Sequence, residues 1–344
     1  MAIIYGRQFK KSEILRRVGD MSQIAGIKRV EFKDGKEKGV EALLFKTGSG
    51  FEFTVLIDRA MDISSASYCG QSLCWRSSTG DVSPQFYEPS GIGFLRSFFG
   101  GLLVTCGLTY LGAPDVDEGE ELGLHGRISH IPAENVSVNC NWQGDDYLLS
   151  ATGKLRQTRV FGENITLTRT ISTKCGESRI FIKDIIQNEG FQKTPLMILY
   201  HCNFGFPLMN KGTELISPSI EIIRREDKKG ALQKSYSIFP EPIKNFNEEV
   251  FYHKMKADKD GFVTVKLISK RLSRKKNFGI YLKYRQRELP KFVQWKMCGE
   301  GIYVMGLEPA NCWVEGRSIE KQRGTLEYLK SGEKKEYLLE IGVL

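Results

Sequence analysis

The chain has 344 residues, of which 41% are hydrophobic and 26% charged, with a formal net charge of +9 at pH 7. These values are typical of a soluble protein that buries a sizeable core, so they exclude a disordered chain and a small disulfide-dependent scaffold. The first residues lack the apolar run of a signal peptide, and no stretch approaches the roughly 18 apolar residues of a membrane span. We therefore expect one cytoplasmic domain over residues 1–344, with residues 1–30 as a helical extension packed on it.

The first predicted element is a helix between about Lys10 and Ile27, which Ser12 could cap. Its apolar residues recur at helix-like spacing, at Ile14, Leu15, Val18, Met21 and Ile24. From about Gly39 onward the pattern changes to short segments in which apolar and polar residues alternate, separated by turn residues. The sequence therefore predicts a short N-terminal helix followed by many strands.

Alternation is clearest in four later segments, at residues 165–171, 263–267, 278–284 and 337–343. Each segment has one apolar and one polar face, as expected for a strand that covers a core on one side. Parallel sheets need crossover helices, and no long helical patterns intervene here. The sequence therefore predicts a mainly β protein of antiparallel sheets packed as a sandwich.

The positive charge is concentrated between Lys266 and Lys291, where ten Lys and Arg residues stand against one acid, Glu288. Such a run is most often a solvated surface, although attraction of anionic sugars or nucleic acid is an alternative. No nucleic-acid-binding motif accompanies it. We therefore expect an exposed surface and no nucleic-acid or membrane partner.

Eight cysteines are spread along the chain without Cys-x-x-Cys spacing, which favours small buried apolar residues over a disulfide framework or a zinc ribbon. Four histidines also lie far apart, and no two have metal-ligand spacing on one element. Serine-hydrolase elbows and phosphate-binding loops are absent from the sequence. A metal site built from two histidines and carboxylates is the weaker alternative, and we expect neither metal nor cofactor.

Two polar residues interrupt apolar segments, which suggests a catalytic role for them. His201 lies in LMILYHCNFGFP, and Glu308 ends IYVMGL just before Pro309, so both are predicted at strand ends. Burial would raise the pKa of Glu308 towards neutrality, as a general base requires. The alternatives are a core histidine with satisfied hydrogen bonds and a carboxylate that caps a turn.

Two further segments offer polar side chains to a ligand. In GLHGR, glycines flank His125 and allow close approach, and Arg127 follows two residues later. In DRAMDI, Arg59 could donate hydrogen bonds to a sugar hydroxyl in fork geometry, with Asp62 nearby. A turn histidine and a structural ion pair are the respective alternatives.

Several motifs occur together in a characteristic order: DRAMDI (58–63), GGLLVTCGL (100–108), LHGR (124–127), YHCNFGFP (200–207), VQWKM (293–297) and GLEPANC (306–312). With the C-terminal segment they resemble a branch of the aldose 1-epimerase (galactose mutarotase-like) superfamily. The resemblance implies a galactose mutarotase-like supersandwich whose concave β face holds a small-molecule sugar. It implies no cofactor and does not indicate an oligomeric state.

The resemblance also implies roles for individual residues. In this family a histidine protonates the ring oxygen while a glutamate removes the anomeric hydroxyl proton, and these correspond by motif order to His201 and Glu308. The ring opens to the aldehyde, the carbonyl turns, and the ring closes on its other face. We expect the nearby carboxylate to keep His201 protonated more strongly than in water. Substrate-binding candidates are Arg59, Asp62, His125, Arg127, Asn203, Gln294 and Lys296.

The sequence departs from the family in two places. A further aspartate, which in mutarotases grips sugar hydroxyls between the catalytic histidine and glutamate, has no assigned counterpart here. The asparagine-rich segment before the first His-Gly is replaced by DEGEELGL. The identity of the sugar is therefore not determined. Two rival functions remain: a non-catalytic sugar-binding or sugar-sensing protein, and a sugar isomerase or lyase on the same fold.

Overall fold

The structure is a computed structural model that describes residues 2–4, 6–226, 236–269 and 278–344. Strands dominate these residues. The first twelve are β1 (Ala2–Ile4), β2 (Arg7–Phe9), β3 (Gly26–Glu31), β4 (Glu41–Lys46), β5 (Phe51–Leu56), β6 (Asp62–Tyr68), β7 (Gln71–Ser72), β8 (Val104–Leu108), β9 (Asp115–Asp117), β10 (Glu120–Leu122), β11 (Glu134–Gln143) and β12 (Asp146–Thr158).

The remaining strands are β13 (Asn164–Lys174), β14 (Arg179–Asn188), β15 (Thr194–Gly205), β16 (Glu214–Ile216), β17 (Ser219–Arg224), β18 (Glu249–Met255), β19 (Phe262–Ser269), β20 (Phe278–Arg285), β21 (Lys291–Gly299), β22 (Ile302–Ala310), β23 (Glu327–Leu329) and β24 (Lys334–Val343). The α-helices of the described residues are α1 (Lys11–Leu15) and α2 (Arg317–Gln322), with a few 3₁₀ turns between strands.

The N-terminal helix is much shorter than the predicted span of residues 10–27. It ends at Leu15, and Gly19 follows before a 3₁₀ turn at Met21–Gln23. Asp20 begins that turn, because its side chain accepts a hydrogen bond of 2.7 Å from the backbone N–H of Ser22. Strands β1 and β2 pair with each other and β3 begins at Gly26, so the described residues before residue 30 are not mainly helical.

Two large antiparallel sheets make the sandwich. The eight-stranded sheet has the order β11-β12-β13-β14-β24-β20-β19-β16, and the seven-stranded sheet has the order β17-β18-β21-β22-β15-β23, with β8 also paired to β15. A five-stranded sheet, β3-β4-β5-β6-β7, lies beside them. The predicted mainly β, antiparallel architecture is confirmed, and the four alternating segments all lie within strands, β13, β19, β20 and β24.

The hydrophobic core lies between the two large sheets. In β13 and β24 every second side chain is buried, as the alternation predicts. In β15, by contrast, nearly every residue is buried, because both faces of this central strand are covered. This is why LMILYHCNFGF reads as a continuous apolar run and does not alternate.

A buried ionic cluster crosses the same core. Arg169 on β13 donates two hydrogen bonds to Asp184, at 2.9 and 2.6 Å, and one to Asp62, at 2.7 Å. The hydroxyl of Tyr200 donates to Asp184 at 2.8 Å, and that of Thr105 donates to Asp62 at 2.6 Å. All five side chains are fully buried. The cluster therefore ties β13 and β14 of one sheet to β15 and β8 of the other.

Part of the basic stretch lies outside the described residues, because the structure does not describe residues 270–277. Within the described part, Lys266 and Arg287 are exposed, and Lys283, Arg285 and Lys291 are half-buried. All eight cysteines are described, none is disulfide bonded, and six are buried.

The described residues lack two features. No helix in them is long and apolar enough to cross a membrane. Within the same ranges, no three His, Cys, Asp or Glu side chains are grouped so that they could hold a metal ion.

Candidate functional site

A cavity of about 650 Å³ opens on the face of the seven-stranded sheet that points away from the core. Strand β21 shows how the sequence builds this face. Val293, Trp295 and Met297 line the cavity, whereas Phe292 and Cys298, which have the opposite parity, pack in the core. Side chains that share a strand face therefore share the cavity, and those of opposite parity do not reach it.

The cavity brings together His201 and Glu308 on neighbouring strands. The flanking pairs Leu199 with Ala310 and Cys202 with Leu307 set the register that places His201 opposite Glu308. Both residues line the cavity wall, and they are only 5% and 2% exposed, respectively. His201 Nε2 lies 3.3 Å from Glu308 Oε1. This is a pair close enough to exchange a proton through a small side-chain movement.

Neither residue ends a strand, contrary to the prediction. His201 lies in the middle of β15, and β22 continues through Pro309 to Ala310. Proline lacks an N–H donor and usually interrupts a ladder. Here the β15–β22 ladder is interrupted at Pro309 and Glu308, while β21 pairs with both residues and continues the strand.

His125 is a further polar residue of the cavity wall, beside the pair. Its ring stands perpendicular to that of His201, with 5.9 Å between centroids, and edge-on to Phe94 at 5.3 Å. The backbone of His125 has a φ of +59° and is held by hydrogen bonds to Gly112 and Gly107. Gly126 is required beside it, since a Cβ there would lie 2.3 Å from the carbonyl oxygen of Tyr110.

An aromatic wall surrounds the pair and was missed by sequence reasoning. Trp295 stands edge-on to His201, with 5.5 Å between centroids, and Phe98 does the same at 5.2 Å. Trp75 contacts Trp295 at 6.1 Å. The alternation of β21 could have identified Trp295 as a residue of this face. Trp295 pairs with Gly306, which lies two residues from Glu308 on the same strand face.

A second carboxylate at the cavity was also missed. Glu248 accepts a hydrogen bond of 2.8 Å from Trp295 Nε1, and Arg225 Nη2 lies 3.1 Å from its other oxygen. Both charged side chains line the cavity. The segment NFNEE has no motif or periodicity that would single out Glu248, so only the folded arrangement identifies it.

Burial pushes the two members of the pair towards their neutral forms. It lowers the pKa of His201 well below its usual range, and the neighbouring His125 lowers it further, while Asn203 opposes the shift. Burial likewise raises the pKa of Glu308 well above its usual range, and the carboxylate of Glu248 adds to this, whereas Arg225 opposes it. The expectation that His201 is held more strongly protonated than in water is wrong, because desolvation outweighs the carboxylate.

Both pKa shifts favour the arrangement in which the imidazole is neutral and the carboxyl group carries the proton. His201 Nδ1 and Glu308 Oε1 are buried and lack a hydrogen-bond partner among the described residues. Polar atoms of this kind are costly to leave unsatisfied in a core. Because both residues line the cavity, a polar ligand there could complete their hydrogen bonds.

Arg59 and Asp62, predicted to bind substrate, lie elsewhere. Arg59 is fully buried and donates to the backbone carbonyls of Ser129, Val82 and Ser97 at 2.6 to 3.0 Å. Asp62 belongs to the ionic cluster of the core. Arg59 and Asp62 of the DRAMDI motif thus have the structural role that was the alternative interpretation, because both side chains are fully buried and bond within the protein.

Four other candidates are also outside the cavity wall. Gln294 and Lys296 have the opposite parity to Trp295 on β21, and Gln294 bonds the buried ring of His253 at 2.9 Å. Asn203 is buried behind His201 and donates to the carbonyl oxygens of Gly100 and His201. The exposed Arg127 borders a separate small cleft. Of the predicted substrate-binding residues, only His125 lines the cavity with the pair.

Solved structures share this architecture. A Klebsiella pneumoniae protein proposed to be an aldose 1-epimerase is 23% identical with a TM-score of 0.86, covering 92% of this chain and 83% of that one. A galactose mutarotase-like protein from Clostridium acetobutylicum is 13% identical with a TM-score of 0.61, covering 94% and 99%. A galactose 1-epimerase from Lactobacillus acidophilus is 10% identical with a TM-score of 0.63, covering 93% and 99%. These likenesses confirm the predicted galactose mutarotase-like fold.

Sequence comparisons place the chain without assigning an activity. The family described as "Domain of unknown function (DUF4432)" matches residues 37–343, which is most of the chain. A search of curated proteins found no relative.

Proposed function

Since the chain belongs to the DUF4432 family, whose description states no activity, we propose a function from the site: an aldose 1-epimerase that interconverts the anomers of a free aldose. One observation carries the proposal. His201 Nε2 and Glu308 Oε1 lie 3.3 Å apart on adjacent strands, inside a cavity large enough for a sugar. An acid and a base so close suit a reaction that takes one proton and returns another.

The chemistry needs one proton on the pair, in either of two arrangements. With the proton on Glu308, Glu308 donates to the ring oxygen while His201 accepts the anomeric hydroxyl proton; with the proton on His201, the two residues exchange roles. In either arrangement the C1–O bond of the ring breaks. The aldehyde carbonyl then turns, and reversal of the two transfers closes the ring on its other face. The pair ends with the same number of protons, so turnover requires no cofactor.

The remaining wall supplies contacts for the sugar. Trp75, Trp295 and Phe98 offer apolar ring surface to the C–H groups of a pyranose. Glu248 and Arg225 offer charged hydrogen-bonding groups to its hydroxyls, and Glu248 is our candidate for the sugar-gripping carboxylate that the sequence left unassigned. His125, close to His201, is proposed to bind the sugar beside the ring oxygen.

Polarimetry on a panel of freshly dissolved free aldoses tests the proposal. We expect the protein to accelerate the approach to anomeric equilibrium for at least one aldose, after subtraction of the spontaneous rate. The matched methyl glycosides cannot open their rings and should bind without conversion. Binding of aldoses with no acceleration for any of them would instead favour a sugar-binding protein.

The pH dependence of the activity should show a broad plateau that includes pH 7. Below the lowered pKa of His201 both groups are protonated, and above the raised pKa of Glu308 both are deprotonated. Between these limits the pair holds the single proton that the reaction needs. Unperturbed groups would instead confine activity to about pH 4.3–6.5. A kcat/KM profile with a narrow acidic maximum would contradict this prediction.

Gly306 should be required for activity. A Cβ at this position would lie 2.5 Å from Glu308 Oε1, 3.0 Å from Trp295 Cβ and 3.2 Å from His201 Cε1. We expect Gly306→Ala to displace the pair and to lower kcat/KM by roughly 10- to 100-fold. Gly19→Ala is the matched control, because a Cβ at Gly19 meets nothing within 4 Å. Equal activity of the two variants in the same assay would show that the pair tolerates displacement.

A further inference from the structure

The cavity extends far beyond the catalytic pair. Along β22 its wall runs from Glu308 to Ile302, six residues apart, which at a strand rise of about 3.3 Å per residue is about 20 Å. Strand β21 lines the same stretch with Val293, Trp295 and Met297. A single pyranose ring placed against Glu308 would occupy only one end of it.

The far end of the cavity is apolar. Phe246, Met297 and Ile302 lie there, and we call these three residues the distal apolar wall. Phe246 and Met297 are only half-buried and Ile302 is 43% exposed, so apolar surface remains open for a ligand to cover. Covering such surface is favourable in proportion to its area. Hydroxyl groups of a second sugar unit would meet no hydrogen-bonding side chain on these three residues.

We infer that the substrate is an aldose that carries an apolar substituent on the side of the ring opposite C1. The inference rests on the proposed function, because C1 and the ring oxygen must face His201 and Glu308 for the reaction to occur. We place the ring along β22, because the cavity extends in that direction from the pair, so that C4, across the ring from C1, faces the Ile302 end. A substituent at C4 therefore reaches the distal apolar wall, whereas a bare hexose leaves it uncovered.

Three probes, all free at C1, test the inference: a bare aldohexose, its 4-O-butyl ether and a disaccharide with a second hexose on O4. Each buried methylene contributes about a fourfold gain in affinity. We expect the butyl ether to have a kcat/KM on the order of tenfold or more above the bare sugar. Equal kcat/KM values for the ether and the bare sugar, or a preference for the disaccharide, would overturn the inference.

A pair of variants locates the effect. Ile302→Ser should reduce the ratio of kcat/KM between ether and bare sugar towards one, because it removes part of the distal apolar wall. Ile216→Ser is the matched control, since Ile216 is 44% exposed and lies on β16 outside the cavity. An unchanged ratio in Ile302→Ser would show that the butyl group binds elsewhere, against the inference.

Equilibrium binding separates this inference from the proposed function. Titration of each probe into the protein, followed by tryptophan fluorescence, needs no turnover. If no probe is interconverted, the proposed function fails, and tighter binding of the ether than of the bare sugar still supports an apolar-substituted sugar as ligand. If the probes are interconverted but bind and react alike, the inference fails and the proposed function stands.

Discussion

Replacing Glu308 by Gln should lower kcat/KM for anomer interconversion by on the order of 10²- to 10⁴-fold, the usual contribution of a general acid or base. Glutamine keeps the shape and hydrogen bonding of Glu308 but can neither donate nor accept the transferred proton. His201→Asn should cost a similar factor, because it removes the other site for the shared proton. Both rates are measured by polarimetry on the best aldose of the panel.

The double variant supplies a sharper test of the same pair. Because His201 and Glu308 act on one proton, the double variant should lose much less than the product of the two single losses. Sugar affinity should change little in either single variant, since the aromatic wall, His125 and Glu248 stay in place. Losses that multiply in the double variant would mean that the two residues act independently.

Replacing Arg169 by Met should lower the free energy of unfolding by about 3–5 kcal/mol. The substitution leaves Asp62 and Asp184 fully buried without their cation, and each loses hydrogen bonds of 2.6 to 2.9 Å. The cost comes mainly from the two uncompensated carboxylates and not from the lost attraction. Urea unfolding of the wild type and the variant measures the difference.

A partly exposed ion pair provides the control for Arg169. Arg156 on β12 lies 2.7 Å from Glu189, and both side chains remain about one-third exposed, so Arg156→Met should cost less than about 1 kcal/mol. Adding Asp184→Asn to Arg169→Met should recover part of the lost stability, because it removes one uncompensated charge. Equal losses in the Arg169 and Arg156 variants would show that burial does not set the cost.

Strand periodicity was enough to predict the architecture and the position of the last strands. The segments at residues 165–171 and 337–343 alternate because only one face of β13 and β24 meets the core. The helix prediction was too long because Gly19 and the Asp20 cap end the helical geometry where the apolar spacing continues. The strand was predicted to end before Pro309, but β21 pairs with Pro309 and holds β22 in extended form.

The candidate site was predictable where a residue belongs to a sequence motif and also lies on the strand face that lines the cavity. His201, Glu308 and His125 came from motifs, and the cavity contains all three. Gln294 and Lys296 were taken from the same motif as Trp295 without regard to the strand face, which alternates. Glu248 lies far from Trp295 in sequence, and their hydrogen bond exists only once β18 pairs with β21. The direction of the His201 pKa shift also depends on burial, which the sequence does not report.

The His201–Glu308 pair is proposed to interconvert the anomers of a bound sugar, and exchange NMR on an equilibrated aldose measures this interconversion directly. At anomeric equilibrium the two C1–H signals can be followed without a fresh anomer, so slow mixing and weak optical rotation do not interfere. We predict magnetisation exchange between the two anomers in the presence of the wild-type protein and its loss with Glu308→Gln. Exchange that persists at the wild-type rate in Glu308→Gln would contradict the account.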